Sequence, residues 1–365
     1  MSGRQLDRLA DALSLLFTVL VSLGAGVLII YLTSKDPAGA LKAFFIGPFS
    51  NRLFFGNMLQ AASPLLFTGV GIAIAFRAGA FNLGGEGQVY AGGLVGTAVL
   101  LYAPWHTAWI IPVAAVAAIV AGAAFAGLSG WLRTRFGATE VITSFLIGST
   151  LIYLFEFFLR RYLVDPTAGF PATAPLAPAF RFSRVLMPSN LNLSFFIGLA
   201  VVVLVHVVMF RTGFGYQLRM AGLNPRFARS SGMPVGRLFV IAMALSGAFA
   251  ALAGIFAVTG VQGRLVTGFS ANYGWNGITV ALIARLYPLG VIPAALLYGY
   301  LHAGANTAAL LSDVSPRIAA IIQSLIFYLI TAQAIFAWIR RGLARRSDTS
   351  EGPAAVLPGD REPLE

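Results

Sequence analysis

Two glycine-rich stretches concentrate the side chains that could handle a solute. The first is Phe81-Asn82-Leu83-Gly84-Gly85-Glu86-Gly87-Gln88. Its glycines permit close backbone approach around two amides and a carboxylate. Asn82 is a good cap for a following helix, and Glu86 then falls in the first turn, where the helix dipole favours an acid. Two readings stand. The stretch is a capped re-entry of the chain into an apolar layer, or Asn82, Glu86 and Gln88 are polar elements of a gate or solute pathway, since an acid at membrane depth is functional by default. The second stretch is Asn272-Tyr273-Gly274-Trp275-Asn276-Gly277, and Tyr273, Trp275 and Asn276 join the same candidate pathway. Phe269, Tyr273 and Trp275 could stack on a flat base. Aromatic residues are also enriched at membrane interfaces, and that plainer reading is preferred.

A third motif is Met220-Ala221-Gly222-Leu223-Asn224-Pro225-Arg226-Phe227-Ala228-Arg229-Ser230-Ser231-Gly232. It reads as a short helix with Asn224 as N-cap, Pro225 at the first helical position and Gly232 at the stop. It is either an interfacial helix anchored by Arg226 and Arg229 or a docking element for another protein. Elsewhere the chemistry is sparse. The chain has no cysteine, and His106, His206 and His302 are too far apart to pair as metal ligands at helical spacing. There is no nucleophile-elbow GxSxG and no phosphate-cradling GxxxxGK[ST]; Lys35 and Lys42 are the only lysines. Glu140 follows Thr139 at a helix start, where capping is a sufficient role. Glu156 and Arg160 have the spacing and order of a helical ion pair. No catalytic cluster emerges, so the chain is expected not to be an enzyme and to bind no metal or cofactor.

These motifs need a scaffold, and composition says which. Of 365 residues, 58% are hydrophobic and 10% charged, with a mean hydropathy of +0.81. A soluble domain cannot expose so much apolar surface. Several runs reach the ~20 residues that cross a bilayer as a helix. Runs such as 199–210 do not alternate as barrel strands do. The reading is an all-α polytopic membrane protein with about ten segments: 12–32, 57–76, 88–103, 108–131, 139–158, 191–210, 238–260, 273–286, 289–311 and 317–339. The eighth is too short to cross upright, so non-helical chain before it must complete the crossing. An uncleaved first span is preferred over a signal peptide after Arg4 and Arg8. A polar, proline-bearing loop, 159–190, reads as external, and a basic loop, 211–237, as internal. Residues 1–346 form one transmembrane domain, and 347–365 read as a disordered cytoplasmic tail.

The net charge of +12 fits the positive-inside bias and an acidic lipid surface rather than nucleic acid. With both termini cytoplasmic, Arg77, Arg133, Arg135, the cluster Arg211, Arg219, Arg226, Arg229 and Arg237, Arg285, and the group Arg340, Arg341, Arg345 and Arg346 all lie inside. Lys35, Lys42, Arg52, Arg264 and Arg317 fall outside as scattered exceptions, with Arg160, Arg161, Arg181 and Arg184 in one long loop. The second to fifth spans and the seventh to tenth then enter from opposite sides, each set with a glycine-rich interruption, as an inverted repeat with broken helices would.

The motifs also resemble a known family. FNLGGEGQ at 81–88 resembles the FNIGxEGQ signature of nucleoside-type ABC permease subunits, within the branched-chain amino acid and simple-sugar permease superfamily. ATEVI at 138–142, AGLNPRFARSSGM, LSGAFAALAG at 245–254 and YGWNGITVALIARLYPLG at 273–290 resemble further blocks of that family in the same order, over roughly 55–340. Thr139 replaces a usual Asn, and Asn276 stands where an acid is common. The resemblance implies an importer permease in the bacterial inner membrane. It implies that Gly222, Asn224, Pro225, Arg226, Arg229 and Gly232 belong to a coupling helix docking a separate ATPase, which uses the ATP. It further implies a second homologous permease subunit, an extracytoplasmic substrate-binding lipoprotein and a nucleoside or nucleobase substrate. A simple sugar such as ribose, or an ion-coupled secondary transporter, are the alternatives.

Overall fold

The computed structural model describes residues 17, 20–103, 109–315, 317, 318, 320–322, 324, 325, 328 and 329. The expected tail at 347–365, most of the tenth segment and the start of the first lie outside the described residues. Twelve helices can be followed: α1 (Leu20–Thr33), then α2 (Pro37–Phe45), α3 (Arg52–Arg77), α4 (Gly85–Tyr102), α5 (Ile110–Phe136), α6 (Glu140–Phe158), α7 (Leu193–Arg211), α8 (Gly213–Leu223), α9 (Pro225–Ser230), α10 (Val235–Ala257), α11 (Tyr273–Ile283) and α12 (Val291–Leu311). No strand occurs among the described residues; two isolated bridges, Ala172 to Val266 and Arg184 to Asn192, tie the 159–190 loop down.

Five of these helices, counting the short extensions of α6 and α10, are long and apolar enough to cross a membrane. They are α3, α5, α6, α7 and α10. A sixth crossing is available if α11 and α12, bent by 115° at their junction, count as one. Ten segments are expected from the sequence; the start of the first and most of the tenth lie outside the described residues, and α4 and α11 are not full crossings. The Asn82 amide just before α4 donates to Ser246 Oγ at 3.0 Å, and Ser246 lies midway along α10. Helix α4 therefore starts at half height, after non-helical chain from Ala78. Helix α11 has only eleven residues, and its Gly277 lies against Thr68, near the middle of α3. Apolar runs mark both as spans, but each is a partial crossing inside protein, where irregular backbone is tolerated.

Burial separates inner from outer helices. The apolar window of α3 is 83% buried and that of α10 67%, against 22% for α6. An all-round apolar helix can lie in the protein core or face lipid, so packing and not hydropathy separates these two groups. α3 and α10 run antiparallel: Phe67 meets Phe256 with ring centroids 5.3 Å apart, whereas Gly71, further along α3, faces Ser246 and Phe249, earlier in α10. α10 packs on α4 and α5, α3 packs on α11 and α12, and α4 touches α11. Exchanging α3, α4 and α5 for α10, α11 and α12 reproduces this set of contacts.

The core closes through glycine. A Cβ on Gly92 would collide with Ala251, one on Gly254 with the Val89 carbonyl, and one on Gly122 with the Gly247 carbonyl. Lipid tails are as apolar as leucine, so close backbone packing drives helix association here. The 159–190 loop folds over the segment after α10. Thr173 N–H donates to Leu265 O at 2.9 Å, Leu176 N–H to Gly263 O at 2.8 Å and Phe182 N–H to Thr259 O at 3.0 Å. At the turn between α5 and α6, Glu140 is buried and pairs with Arg133. Thr139 makes no side-chain cap there, so Glu140 is held by an arginine as well as by the helix start.

Gly254→Leu is expected to force α4 from α10 and lower stability by about 1–3 kcal/mol, the usual cost of overpacking. Gly213→Ala, with open space at its Cβ, is expected to be neutral. Thermal unfolding in detergent measures both.

Candidate functional site

The first glycine-rich stretch folds into a buried lattice. Asn82 Nδ2 donates to Gln88 Oε1 at 2.8 Å, and Gln88 Nε2 donates back to Asn82 Oδ1 at 3.1 Å. Asn82 Oδ1 also accepts the Gly84 N–H at 3.0 Å, a turn in which the side chain mimics backbone. The N-cap of α4 is Gly84, without a side-chain cap. Asn82 therefore does not cap α4 as expected from sequence. It shapes the turn two residues earlier and anchors it to α10 through Ser246. Ser144 of α6 supports the same turn, accepting the Leu83 N–H at 3.0 Å.

Glu86, 6% exposed, sits in the first turn of α4 but serves a different helix. Its carboxylate accepts the Gly274 N–H at 2.8 Å and the Ser270 hydroxyl. The N-cap of α11, Asn272, is left-handed (φ 63°) and makes no side-chain cap. The first N–H groups of a helix have no partner within it. For α11 the partner comes from α4. The two N-termini meet so closely that a Cβ on Gly274 would collide with the Glu86 backbone. One carboxylate thus lies in the favourable field of two helix dipoles.

The expected pathway residues divide. Asn82, Glu86 and Gln88 are brought together within the protein, and Tyr273 is half-buried against both core clusters. Trp275 and Asn276 instead line a cavity of about 700 Å³ between α11, α12 and the described positions from Arg317 to Tyr328. Leu83 contributes to its wall, and the Tyr298 hydroxyl donates to Asn276 Oδ1 at 2.7 Å. A second cavity of about 490 Å³ lies beside Leu53, Asn57 and Leu310. Both cavities are lined by His302 and Asn306. Sequence reasoning passed over Tyr298, His302 and Asn306. The available signal was their spacing of four in an apolar helix, which puts them on one face.

The 220–232 motif forms an exposed elbow. Asn224 Oδ1 accepts the Phe227 N–H at 3.0 Å, with Pro225 in the first helical turn. Leu223 (78% exposed), Phe227, Arg226 and Arg229 face outward. Gly232 follows with φ 78°. Gly222 is pressed on the end of α3, where a Cβ would collide with the Arg77 carbonyl. The elbow therefore rests on the same turn, 77–84, that leads into the Asn82 lattice.

A family model described as "Branched-chain amino acid transport system / permease component" matches residues 54–331. The chain is 30% identical to the glucose ABC transporter permease protein TsgB13 of Haloferax volcanii, over 94% of this chain and 93% of that one. It is 33% identical to a protein named a probable riboflavin import permease, RfuC, of Treponema pallidum, over 90% and 88%. It is 28% identical to the guanosine ABC transporter permease protein NupP of Bacillus subtilis, over 93% and 98%. No solved structure matches it.

Glu86→Ala strips the cap from α11 and is expected to cost about 0.5–2 kcal/mol, the usual range for a lost cap. Glu86→Gln keeps one acceptor and should fall between alanine and wild type in thermal unfolding.

Proposed function

The chain belongs to the branched-chain amino acid transport system permease family, and from that premise we propose that it is the membrane-spanning subunit of an ATP-driven importer for nucleosides or nucleobases. The observation that carries this reading is the polar face of α12. Its packed face is small and apolar, with Ala294, Ala295, Gly299 and Ala308 buried, while His302 and Asn306 are exposed beside the cavities. An imidazole and a carboxamide facing hydrocarbon are costly, and such groups turn to a bundle interior or a water-filled path. That face borders the solute pathway and a second permease subunit.

Amides, an imidazole and the Trp275 indole suit a neutral, flat solute with donors and acceptors, and a relative named for guanosine supports nucleosides. The relative named for glucose supports a sugar as the second reading. The ion-coupled alternative is set aside, because this family is the permease component of ABC systems. The exposed elbow at Asn224–Ser230 receives the ATPase, and a binding protein delivers solute outside. The antiparallel α3 and α10, with their interchangeable contacts, support the inverted repeat. Both termini lie in the cytoplasm of a bacterial inner membrane.

Deleting the gene should abolish uptake of labelled uridine and leave D-glucose and ribose uptake intact; loss of sugar uptake with uridine uptake retained overturns the substrate. Arg226→Glu with Arg229→Glu should leave membrane insertion unchanged and remove the ATPase from the purified complex. An ATPase retained at wild-type level overturns the docking site.

A further inference from the structure

The two cavities meet at a pair of side chains. The inner one holds Trp275 and Asn276, the outer one Asn57, and His302 and Asn306 line both. A solute moving from one to the other passes these two residues, which stand one helical turn apart on the same face of α12. Their orientation is fixed from behind. A Cβ on Gly299 would lie 2.7 Å from the Met58 carbonyl, and one on Gly304 2.6 Å from the Phe44 carbonyl. The backbone of α12 is thus seated against α3 and α2 and cannot rotate without losing that fit. Among the described residues neither His302 nor Asn306 has a hydrogen-bond partner within the chain, and their polar atoms are not sealed in the core. By contrast Tyr298, one turn earlier, is bonded to Asn276.

We propose that His302 and Asn306 are the specificity-determining residues of the pathway, reading the hydrogen-bonding edge of a neutral ring as it passes between the cavities. A neutral imidazole offers one donor and one acceptor, and a carboxamide offers both. Side by side they match a solute with donor and acceptor on one edge, as the imide N–H and carbonyl of a base such as uracil present. Arg317 is the one charged side chain among the described residues lining the inner cavity, so a cationic ring is disfavoured. The inference rests on the reading of this face as the pathway.

The chain has no native cysteine, so single-cysteine variants report cleanly. In the full complex in membranes, His302→Cys and Asn306→Cys should react with an impermeant anionic thiol reagent. Val116→Cys, on an exposed apolar position of α5, should not. Saturating uridine should slow labelling at both positions, and D-glucose and riboflavin should not. Slowing by glucose or riboflavin with none by uridine keeps the selectivity point and overturns the nucleoside reading. Absent labelling, or labelling that none of the three slows, overturns the site itself. In uptake, His302→Leu should raise KM for uridine roughly tenfold, as expected for one lost buried hydrogen bond, with maximal rate retained. His302→Gln, which keeps a donor and an acceptor, should restore most of it. A leucine variant with wild-type KM overturns the role of His302.

Discussion

A helix that starts halfway across a bilayer carries unpaired N–H groups into a layer that has no water to satisfy them. The rest of this structure depends on how that demand is met at α11. Its own N-cap residue is left-handed and does not cap. The acceptor comes from Glu86, on a helix reached nearly 190 residues earlier in the chain. A buried carboxylate alone would be costly, but the α11 N-terminus and a serine hydroxyl donate to it, and it also lies in the first turn of α4. Each partial crossing therefore needs the other.

That mutual dependence requires backbones to approach more closely than side chains permit. Glycine at the α4–α10, α5–α10 and α4–α11 contacts removes the obstacle. The result is an inner group of α3, α4, α10 and α11, with α5, α6 and α7 offering mostly exposed surface around it. Because the inner group is held by backbone contacts and a few saturated amides, a displacement at one end is not absorbed by soft side chains. The turn at 77–84 is the place where this matters, since the exposed elbow presses on it through Gly222 and its Leu83 borders the cavity that holds Trp275 and Asn276. An ATPase moving the elbow would act on the cavity through one short segment. The walls of that cavity on α11 and α12 are polar and uncharged, and Arg317 also lines it.

Much of this was legible in the linear chain. Apolar runs and lipid physics determined that the protein is a membrane-spanning helical one. Asn224, Pro225 and Gly232 marked the limits of α9, because caps and turn residues act locally. The paired glycine stretches marked α4 and α11 as unusual. Ordered motifs identified the family where physics would not have named it. What the sequence could not determine was depth and partner. Hydropathy counts α4 and α11 as spans, since it sees apolar length and not the height at which a helix begins. Asn82 has the chemistry of a cap and is a turn-former, because its amide finds Gln88 and Ser246 in the fold. Glu86 has the position of a first-turn acid in α4, yet its hydrogen bonds are made to α11. The stripe of Tyr298, His302 and Asn306 was present as a spacing of four, but spacing does not say which face of a helix is packed. Only tertiary contact decided that, by seating Gly299 and Gly304 against neighbouring backbone and leaving the polar face to the cavities.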